Sequence, residues 1–422
     1  MVMEIVIVGG GLCGLATGIS VALSGHRVTI LEASEEQHEF GAGLQSSPNG
    51  TRLYHRWGLH DLLEPIATGP RVLEIRNFDG SVLARRQNYD EEVNQRYGHP
   101  LWTLHRVDLQ HALVQRAKSL GVEIKFASRV VHIHTAITRP SVRVESGVEY
   151  RGDLVVVADG VWSHSTSQVL GRPVAPEPTG DIAYRITLDR AVVEEDDDLF
   201  TFMSEPRIQI WLGSRAHAVA YSVRNGTQLN VVLLVKDDSQ DSENMRKDAR
   251  SAVDIAEARS LFNDWDPLLA KILQRAHQVT KWKLMNLSPL PTWRSTEGSC
   301  VLAGDCCHAI LPYMAQGLNM GLEDAAVLGS LLSHVNSTTQ LPKATALYER
   351  LRVLRTTRML NETHIHAKNW HQEDPELQEK RNIDLARSFE EPTTWTHPQQ
   401  QRWIWSYDAY EEAETAYRAE PF

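Results

Sequence analysis

The sequence has few cysteines, no long apolar run and no excess of basic residues, and each absence excludes a class of protein. No apolar run approaches the roughly 18 residues of a membrane-spanning helix. A formal net charge of -11 argues against nucleic acid or an anionic membrane as a partner. The four cysteines lack the paired spacing of a disulfide framework or a zinc site, so we predict no metal centre: Cys13, Cys300, Cys306 and Cys307.

The amino terminus also lacks the features of a secretory leader. Residues Met1–Glu4 are acidic rather than basic, and the apolar stretch that follows is interrupted by Gly9–Gly11. We therefore expect a cytoplasmic protein. The 422 residues, 42% hydrophobic and 23% charged, are typical of a globular chain with material for about two to three domains.

The first motif is a glycine-rich turn between a strand and a helix. The apolar strand Glu4–Val8 runs into Gly9–Gly14, a G-x-G-x-x-G, and a second strand, Arg27–Leu31, ends at Glu32. Such glycines let the backbone approach a pyrophosphate, whose charge lies on the helix amino terminus. The acid at the end of the second strand is placed to bind the ribose hydroxyls of an adenosine and to repel a 2′-phosphate. This order predicts a dinucleotide site at Gly9, Gly11, Gly14, Glu32 and Ala33.

A second motif lies between Ser299 and Leu328. A short apolar strand runs into Gly304-Asp305, a turn-rich segment carries Pro312, and an apolar helix face begins near Gly317. The carboxylate can accept hydrogen bonds from a polyol, and the free N–H groups at the helix start can stabilise negative charge. These are the needs of a ribityl chain and of a reduced flavin ring. The alternative is an ordinary strand–helix unit, in which adjacent Cys306 and Cys307 are buried structural thiols.

Three further positions fit a nucleotide site. Gly43 lies in a glycine-containing segment whose backbone is suited to approach a flat ring, although the segment also fits a simple loop before a helix. Arg106 begins a helix and is placed to reach a phosphate or an isoalloxazine, or is a surface cation. Asp159-Gly160 follows the buried strand Asp153–Val157, and ligands bind at strand carboxyl ends in α/β sheets.

With the G-x-G-x-x-G, Asp159-Gly160 and Gly304-Asp305 present in this order, the chain resembles the single-component flavoprotein aromatic hydroxylases. These are the p-hydroxybenzoate hydroxylase-like, or group A, FAD monooxygenases, and the chain is most similar to their salicylate hydroxylase-like branch. The resemblance extends to about Leu351. It departs at Ser163–Thr166, where family members usually carry a basic residue, so the selectivity for NADH or NADPH stays open.

The resemblance implies FAD as the bound cofactor and assigns its contacts. The ADP half belongs to Gly9, Gly11, Gly14 and Glu32, with Arg106 near the ribityl and phosphate portion. Asp159-Gly160 contacts FAD and is implicated in NAD(P)H use. The ring end is assigned to Asp305 on the ribityl chain, Pro312 beside C4a, and Gly317, Leu318 and Asn319 at the pyrimidine edge.

The same resemblance implies a fold and a domain order. We predict an α/β fold: a Rossmann-like FAD-binding domain with an inserted α+β substrate domain (mixed sheet) and a C-terminal helical segment. The pattern supports this, because alternating strands appear from Gly171 to Leu290 and a dinucleotide-type strand resumes at Val301. The predicted boundaries are residues 1–72, 99–170 and 293–340 for FAD binding, 73–98 and 171–292 for the substrate, and 341–422 for a C-terminal helical cap.

The implied reaction is hydroxylation of a phenolic, salicylate-like aromatic molecule. NADPH or NADH would reduce the flavin transiently, and O₂ would form a flavin C4a-hydroperoxide. The protein must remove a phenolic proton and keep the pocket dry. Arg185 is predicted to pair with a phenolate or carboxylate. His217 and Tyr221, four residues apart on one strand, are predicted to face the same side, with His217 relaying a proton or serving as a structural histidine.

Two other functions fit the same motifs. A biosynthetic flavin monooxygenase would use them for oxidative dearomatisation or epoxidation of a polyketide or indole. A non-catalytic FAD-binding protein would keep Gly9–Glu32 without needing Asp305 and Pro312 together. A flavin halogenase is disfavoured, because the W-x-W pair at Trp403–Trp405 is followed by Ser-Tyr-Asp, which lacks the Ile-Pro of that class's W-x-W-x-I-P motif, and lies far from the flavin segments. We expect a small aromatic partner and a monomer or homodimer.

Overall fold

A five-stranded parallel sheet carries the amino-terminal part of the chain. The computed structural model describes residues 1–36, 41–136, 138–237, 250–387 and 398–422. In the parallel sheet the strand order is β18-β11-β1-β2-β7. Its apolar strands are buried by helices on both faces, as is typical of parallel sheets. The strands of this sheet are β1 Glu4–Val8, β2 Arg27–Leu31, β7 Glu123–Lys125, β11 Leu154–Val157 and β18 Cys300–Leu302.

An eight-stranded mixed sheet forms the second layer of the molecule. Its order is β16-β17-β12-β15-β14-β13-β4-β5, in which only the β13–β4 pair among these strands is parallel. Its strands are β4 Val72–Asn77, β5 Val82–Arg86, β12 Glu177–Asp189, β13 Arg207–Leu212, β14 Ala216–Val223, β15 Gln228–Lys236, β16 Arg250–Val253 and β17 Val279–Asn286. Two small antiparallel sheets contain β3 Gly43–Ser46 with β6 Trp102–His105, and β8 Val130–His134, β9 Ser141–Val144 and β10 Glu149–Arg151.

Helices cover both sheets and make up the described carboxyl-terminal part of the chain. They are α1 Leu12–Leu23, α2 Pro48–Arg56, α3 His60–Leu63, α4 Tyr89–Tyr97, α5 Arg106–Ser119, α6 Ser165–Leu170, α7 Arg190–Val193, α8 Asp197–Met203, α9 Ile255–Leu261, α10 Pro267–Arg275, α11 Asp305–His308, α12 Gly317–Leu332, α13 Leu341–Trp370, α14 Pro375–Ala386, α15 Pro398–Trp405 and α16 Ala409–Ala419. Short 3₁₀ turns span Pro312–Met314 and Thr338–Gln340.

Helix α12 is the buried centre of the FAD-type half. All of its residues from Asn319 to Leu332 are buried, and it packs against α1. The approach is close because glycines face the contact: a Cβ on Gly329 would lie 2.2 Å from the hydroxyl oxygen of Ser20. The helix begins at Gly317, as the sequence predicts.

The predicted fold class is confirmed. The sequence of Leu73–Leu83, with a turn at Asp79-Gly80, predicts a hairpin, and β4 and β5 form it. The hairpin joins the mixed sheet through pairing of Val72 with Arg207. Cys306 and Cys307 are buried, as expected for structural thiols. The exact domain boundaries stay predictions.

The polar composition of Arg85–Gly98 favours a mobile run without regular structure, and the structure differs from that interpretation. Residues 85–98 contain helix α4, whose buried face repeats every four residues at Tyr89, Val93 and Tyr97. The intervening polar residues conceal this face in the sequence. The sequence also predicts a charged loop over Asp237–Arg250 and tryptophan-rich helices near the carboxyl terminus. Residues 238–249 of that loop and Trp395 lie outside the described residues. Within the described part of the chain, no helix is long and apolar enough to cross a membrane.

Candidate active site

Four of the predicted motif residues lie at the carboxyl ends of neighbouring parallel strands. Gly9 follows β1, Glu32 follows β2, Asp159 comes shortly after β11, and Asp305 comes shortly after β18. Because the strand order is β18-β11-β1-β2, these ends meet along one edge of the sheet. This edge is where ligands bind in open α/β sheets.

The glycine turn is packed too closely for side chains at two of its positions. Gly9 has a φ of +105°, and a Cβ on Gly14 would lie 2.0 Å from the Gly9 carbonyl oxygen. A Cβ on Gly11 meets no atom within 4 Å, because this residue faces the open cleft. The backbone at Gly11 is therefore free to approach a bound phosphate at the start of α1.

Glu32 is oriented by the backbone around it. Its two carboxylate oxygens accept hydrogen bonds from the Gly10 N–H at 2.7 Å and from the Ser34 N–H at 2.8 Å. Each oxygen keeps a second acceptor site, which suits the hydroxyls of a ribose. Ala33 is half-buried beside it.

The turn that carries Asp305 is anchored from beneath by a buried carboxylate. Gly304, with a φ of +72°, donates its N–H to Asp324 at 2.8 Å. Burial raises the pKa of Asp324, but His308 and Arg352 more than offset this effect and bring it to about 2. The ionised Asp324 therefore fixes the position of Gly304 and of the neighbouring Asp305.

Asp305 and Arg106 expose their charged groups to the same cleft. The protein atoms around the cleft remove bulk water from Asp305, and this desolvation raises its pKa. His308 and Arg106 oppose that shift. Burial likewise lowers the pKa of Arg106, and Asp305 opposes it. An acceptor and a donor thus face one cleft, as binding of a polyol phosphate requires.

Asp159 has a buried oxygen without a partner. Its Oδ1 atom lacks a hydrogen-bond partner among the described residues. Burial raises the pKa of this carboxyl, whereas Ser163 and Ser165 lower it. The adjacent Gly160 has a φ of +82° and faces open space. A buried, unsatisfied oxygen at this edge indicates a ligand or water contact.

A single cavity of about 360 Å³ joins the cleft to the mixed sheet. Among the predicted site residues, those in its wall are Gly11, Gly43, Arg106, Gly160, Arg185, His217, Tyr221, Asp305, Pro312, Gly317 and Leu318. The predicted residues outside this wall are Gly9, Gly14, Glu32, Ala33, Asp159 and Asn319. The flavin-type motifs and the predicted catalytic residues therefore share one space.

The side chain of Asn319 lies away from the cavity, and its predicted contact with a flavin edge rests on the backbone. Its side chain is buried, donates to the Ala315 carbonyl at 3.0 Å and accepts from the Ser46 hydroxyl at 3.1 Å. Only its backbone N–H, in the first turn of α12, is oriented for a ligand. Gly43 is held similarly, because its N–H donates to Asn230 at 2.6 Å.

The register of the mixed sheet brings the three predicted catalytic residues together. Arg185 on β12 pairs with Val232 on β15, which pairs with Val219 on β14. His217 and Tyr221 flank Val219 at two-residue spacing, so all three side chains of β14 line the cavity. The four-residue spacing does place His217 and Tyr221 on the same side.

Burial sets the protonation of these groups. It lowers the pKa of His217 well below its usual value, with help from His371 and His366. It also lowers the pKa of Arg185 and raises that of Tyr221. His217 and Tyr221 are therefore neutral at physiological pH, and Arg185 remains the cation of this wall.

Sequence reasoning missed four aromatic residues in the wall of the cavity. They are Tyr89, Tyr313, Trp370 and Trp405, each from a different segment of the chain. The four-residue repeat of α4 was a signal for Tyr89. No local pattern indicates that the other three meet there.

The parallel sheet, its glycine turn and the shared cavity define a flavin-dependent oxidoreductase. The sequence matches the family described as FAD binding domain over residues 2–363, so the chain belongs to this family. It is 40% identical over 425 residues to the FAD-dependent monooxygenase OpS4 of Beauveria bassiana (strain ARSEF 2860), covering 98% of this chain and 97% of the relative. It is 29% identical over 360 residues to 3-hydroxybenzoate 6-hydroxylase of Polaromonas naphthalenivorans (strain CJ2), covering 85% and 86%.

Solved structures share the fold. The crystal structure of CtdE in complex with FAD and a substrate has a TM-score of 0.85 at 22% identity and covers 99% of this chain and 98% of that one. A salicylate hydroxylase substrate complex has a TM-score of 0.78 at 21% identity and covers 98% of each chain. The predicted resemblance is confirmed: the chain is an FAD-dependent monooxygenase, with O₂ and a nicotinamide nucleotide as co-substrates.

Proposed function

We propose that this monooxygenase hydroxylates a small phenolic aromatic molecule that carries a negative charge, such as a salicylate-like hydroxybenzoate. The observation that supports this most is the shared cavity. Arg185, Tyr221 and His217 of the mixed sheet line it together with Pro312 and Gly317, which follow the flavin-type turn in the chain. When bound, FAD supplies hydride acceptance and oxygen activation. The residues of this chain must bind, orient and deprotonate the aromatic ring.

Different residues in the cavity wall support binding, proton acceptance and exclusion of water. Arg185 supplies a cation for a carboxylate or phenolate, and no ion pair among the described residues neutralises it. His217 is neutral, so one of its ring nitrogens keeps a lone pair that can accept a hydrogen bond from a phenolic hydroxyl. Apolar side chains such as Ile210, Val219 and Leu234 exclude water.

A larger biosynthetic substrate is the second candidate. The aromatic side chains Tyr89, Trp370 and Trp405 extend the apolar wall and suit a polycyclic ring system. Dearomatisation or epoxidation of a polyketide or indole would use the same cofactor. The two candidates differ in the size and charge of the ligand.

The test is a ligand panel on the FAD-loaded enzyme. Hydroxybenzoates, uncharged phenols, naphthols and indoles would each be mixed with NADH or NADPH, and flavin reduction would be followed by stopped flow. We expect a hydroxybenzoate to accelerate reduction most and to gain one oxygen atom, measured by mass spectrometry. Stimulation by naphthols or indoles alone would favour the second candidate.

A separate measurement distinguishes hydroxylation from uncoupled oxidation of NAD(P)H. Hydrogen peroxide would be quantified in every reaction, because NAD(P)H consumption without oxygenated product ends as peroxide. A protein that binds FAD but is reduced at the same slow rate with every ligand would contradict the proposal. That result would favour a non-catalytic FAD-binding protein.

A further inference from the structure

One row of directly paired residues crosses the mixed sheet from the cavity to the edge of the sheet. His217 on β14 pairs with Leu234 on β15, which pairs with Ala183 on β12. Ala183 pairs with Trp282 on β17, and Trp282 pairs with Arg250 on β16. Directly paired residues lie on the same face of a sheet. Because His217 and Leu234 line the cavity, Trp282 and Arg250 continue the cavity-facing side of the sheet beyond it.

The outer end of this row combines an aromatic ring with positive charge. The guanidinium carbons of Arg185 and Arg250 each lie 5.0 Å from the centre of the Trp282 ring, within the range of a cation–π contact. The two arginines flank the ring, because β17 lies between β12 and β16. Trp282 is half-buried and Arg250 is exposed. We call Trp282 and Arg250 the outer patch.

The outer patch is electrostatically coupled to the flavin-side cleft. Burial lowers the pKa of Arg106, Asp305 opposes this shift, and the charge of Arg250 adds to it. Burial also lowers the pKa of Arg185, and the charges of Arg106 and Arg250 add to that effect. Arg106 lines the cavity together with Asp305. Three guanidinium groups are therefore close enough to repel one another beside the flavin-type residues.

This cluster of cations favours an anionic ligand. It lies in a chain whose formal net charge is -11, so it is a local feature and not part of a generally basic surface. The Nε1 atom of Trp282 is buried and has no hydrogen-bond partner among the residues that the structure describes. A buried N–H group without an acceptor, beside cations that repel one another, is stabilised when an anion binds.

The reaction of this class of enzyme requires an anion at this side of the molecule. A nicotinamide nucleotide carries a pyrophosphate and has to reach the flavin in order to donate hydride. The sequence contains one G-x-G-x-x-G, at Gly9–Gly14, and that turn is assigned to FAD. The nucleotide therefore needs a surface other than a second glycine turn of this kind.

We propose that Arg250, supported by the ring of Trp282, binds the pyrophosphate of NADPH or NADH in the positive field of Arg106 and Arg185. An arginine suits this contact, because its planar fork donates two parallel hydrogen bonds to phosphate oxygens. An exposed position suits a co-substrate that binds and leaves in every turnover. The proposal goes beyond the proposed function, because it does not depend on which aromatic molecule is oxidised.

Two other anions bind to this molecule, and other residues are assigned to each of them. The carboxylate of the aromatic molecule is assigned to Arg185, which lines the cavity, whereas Arg250 lies outside the cavity wall. The phosphates of FAD are assigned to the backbone at Gly11 and to Arg106. The affinities for all three anions are therefore measured in the same variants.

The first measurement is anaerobic flavin reduction, followed by stopped flow at increasing concentrations of NADPH or NADH. FAD-loaded enzyme and saturating hydroxybenzoate are used, and the concentration dependence separates the Kd of the nucleotide from the limiting rate. Arg250→Gln removes the charge, and Arg250→Lys keeps the charge but loses the fork. The matched control is Lys281→Gln, on the opposite face of β17, where Lys281 pairs with Glu257 at 2.7 Å.

We expect Arg250→Gln to raise the Kd of both nucleotides about tenfold or more, because a charge-assisted contact to phosphate is lost. Arg250→Lys should raise it about threefold or more, and Lys281→Gln less than about twofold. Added salt should weaken nucleotide binding more in the wild type than in Arg250→Gln. The FAD content and the Kd of hydroxybenzoate should match the wild type.

A second measurement needs neither hydride transfer nor an aromatic molecule. ADP-ribose carries the pyrophosphate without the nicotinamide, and its binding to the FAD-loaded enzyme would be followed by titration calorimetry. Its Kd should rise in Arg250→Gln by the same factor as that of the nucleotides. This result would stand even if the ligand panel refuted the proposed function.

Three outcomes would overturn the proposal. Equal affinities of the wild type and Arg250→Gln for the nucleotides and for ADP-ribose would remove Arg250 from the nucleotide site and leave the proposed function intact. A raised Kd for hydroxybenzoate alone would assign Arg250 to the aromatic molecule, and loss of FAD alone would assign it to the cofactor. If Arg250→Gln fails to fold, wild-type affinities in Arg250→Lys would overturn the proposal in its place.

Discussion

At Arg185, a guanidinium lies on an apolar cavity wall without an acidic partner. Its Nε atom has no hydrogen-bond partner among the described residues, and the group lies 5.0 Å from the centre of the Trp282 ring. Burial lowers its pKa, and Arg106 and Arg250 act in the same direction. A desolvated cation without a counter-ion is costly unless a ligand supplies the charge.

Replacing Arg185 should therefore weaken ligand binding and spare the cofactor. For Arg185→Ala we expect the Kd of a hydroxybenzoate to rise by about 10- to 100-fold, because a charge-assisted hydrogen bond contributes about 1.5–3 kcal/mol. The FAD content should be unchanged. Turnover should fall by orders of magnitude, because the ring loses its orientation.

The control for Arg185→Ala is Arg185→Lys, which keeps the charge but loses the planar fork. It should retain part of the affinity and bind FAD normally. Ligand titration followed by flavin fluorescence measures both variants. Wild-type affinity in Arg185→Ala would remove this residue from the ligand site.

At the scale of elements, the turn from β1 into α1 separates two roles of glycine. Gly14 is needed by the fold, because its Cβ would lie 2.0 Å from a carbonyl oxygen. Gly11 faces the open cleft and has an ordinary φ of -70°, so its lack of a side chain serves a ligand.

Alanine at Gly14 should affect the stability of the fold, whereas alanine at Gly11 should affect FAD binding. We expect Gly14→Ala to lower the free energy of unfolding of the apo-protein by about 3 kcal/mol or more, because backbone must move. Gly11→Ala should change it by less than about 0.5 kcal/mol. The same variant should weaken FAD binding at least tenfold, about 1.4 kcal/mol. Urea unfolding of the apo-proteins and FAD titration measure the two effects; equal stabilities would contradict the packing argument.

The elements that the sequence predicted well are those with a local signal. The start of α12 at Gly317 and the orientation of His217 and Tyr221 follow from periodicity within a few residues. No such signal indicates that His371 lies 2.7 Å from His217 or that Tyr313 lies 3.2 Å from His371. These contacts join segments far apart in the chain, 154 residues in the case of His217 and His371. Pattern within one segment carries no information about which segments meet.

At the scale of the whole molecule, a buried charge network joins the flavin-side turn to the long carboxyl-terminal helices. Asp324 on α12 accepts from Gly304 and from Arg352 on α13, the latter at 2.7 Å. The neighbouring Glu323 pairs with Arg355 at 3.0 Å. Both acids and Arg352 are fully buried, so their mutual pairing offsets the cost of burying charge.

Because of this network, we expect the free energy of unfolding to depend on pH between about pH 4 and pH 2. The pKa of Asp324 is about 2 in the folded state against an ordinary value of 3.8. A lowered folded-state pKa means that the stabilisation is present above pH 4 and is lost as the pH falls toward 2. The shift corresponds to about 2 kcal/mol. The ion pair of Arg294 and Glu349 is partly exposed and serves as the comparison.

Asp324→Asn should therefore destabilise the protein most at neutral pH. We expect a loss of about 3–5 kcal/mol at pH 7, because Arg352 is left buried with one partner fewer. Glu349→Gln, the control, should cost less than about 1 kcal/mol. Urea unfolding at several pH values measures both, and the difference between wild type and Asp324→Asn should narrow between pH 4 and pH 2. Because Asp324 also accepts from Gly304, weaker FAD binding should accompany the loss of stability in Asp324→Asn and be absent in the control. A difference in stability that is independent of pH in this window would show that the carboxylate charge does not join the turn to the helices.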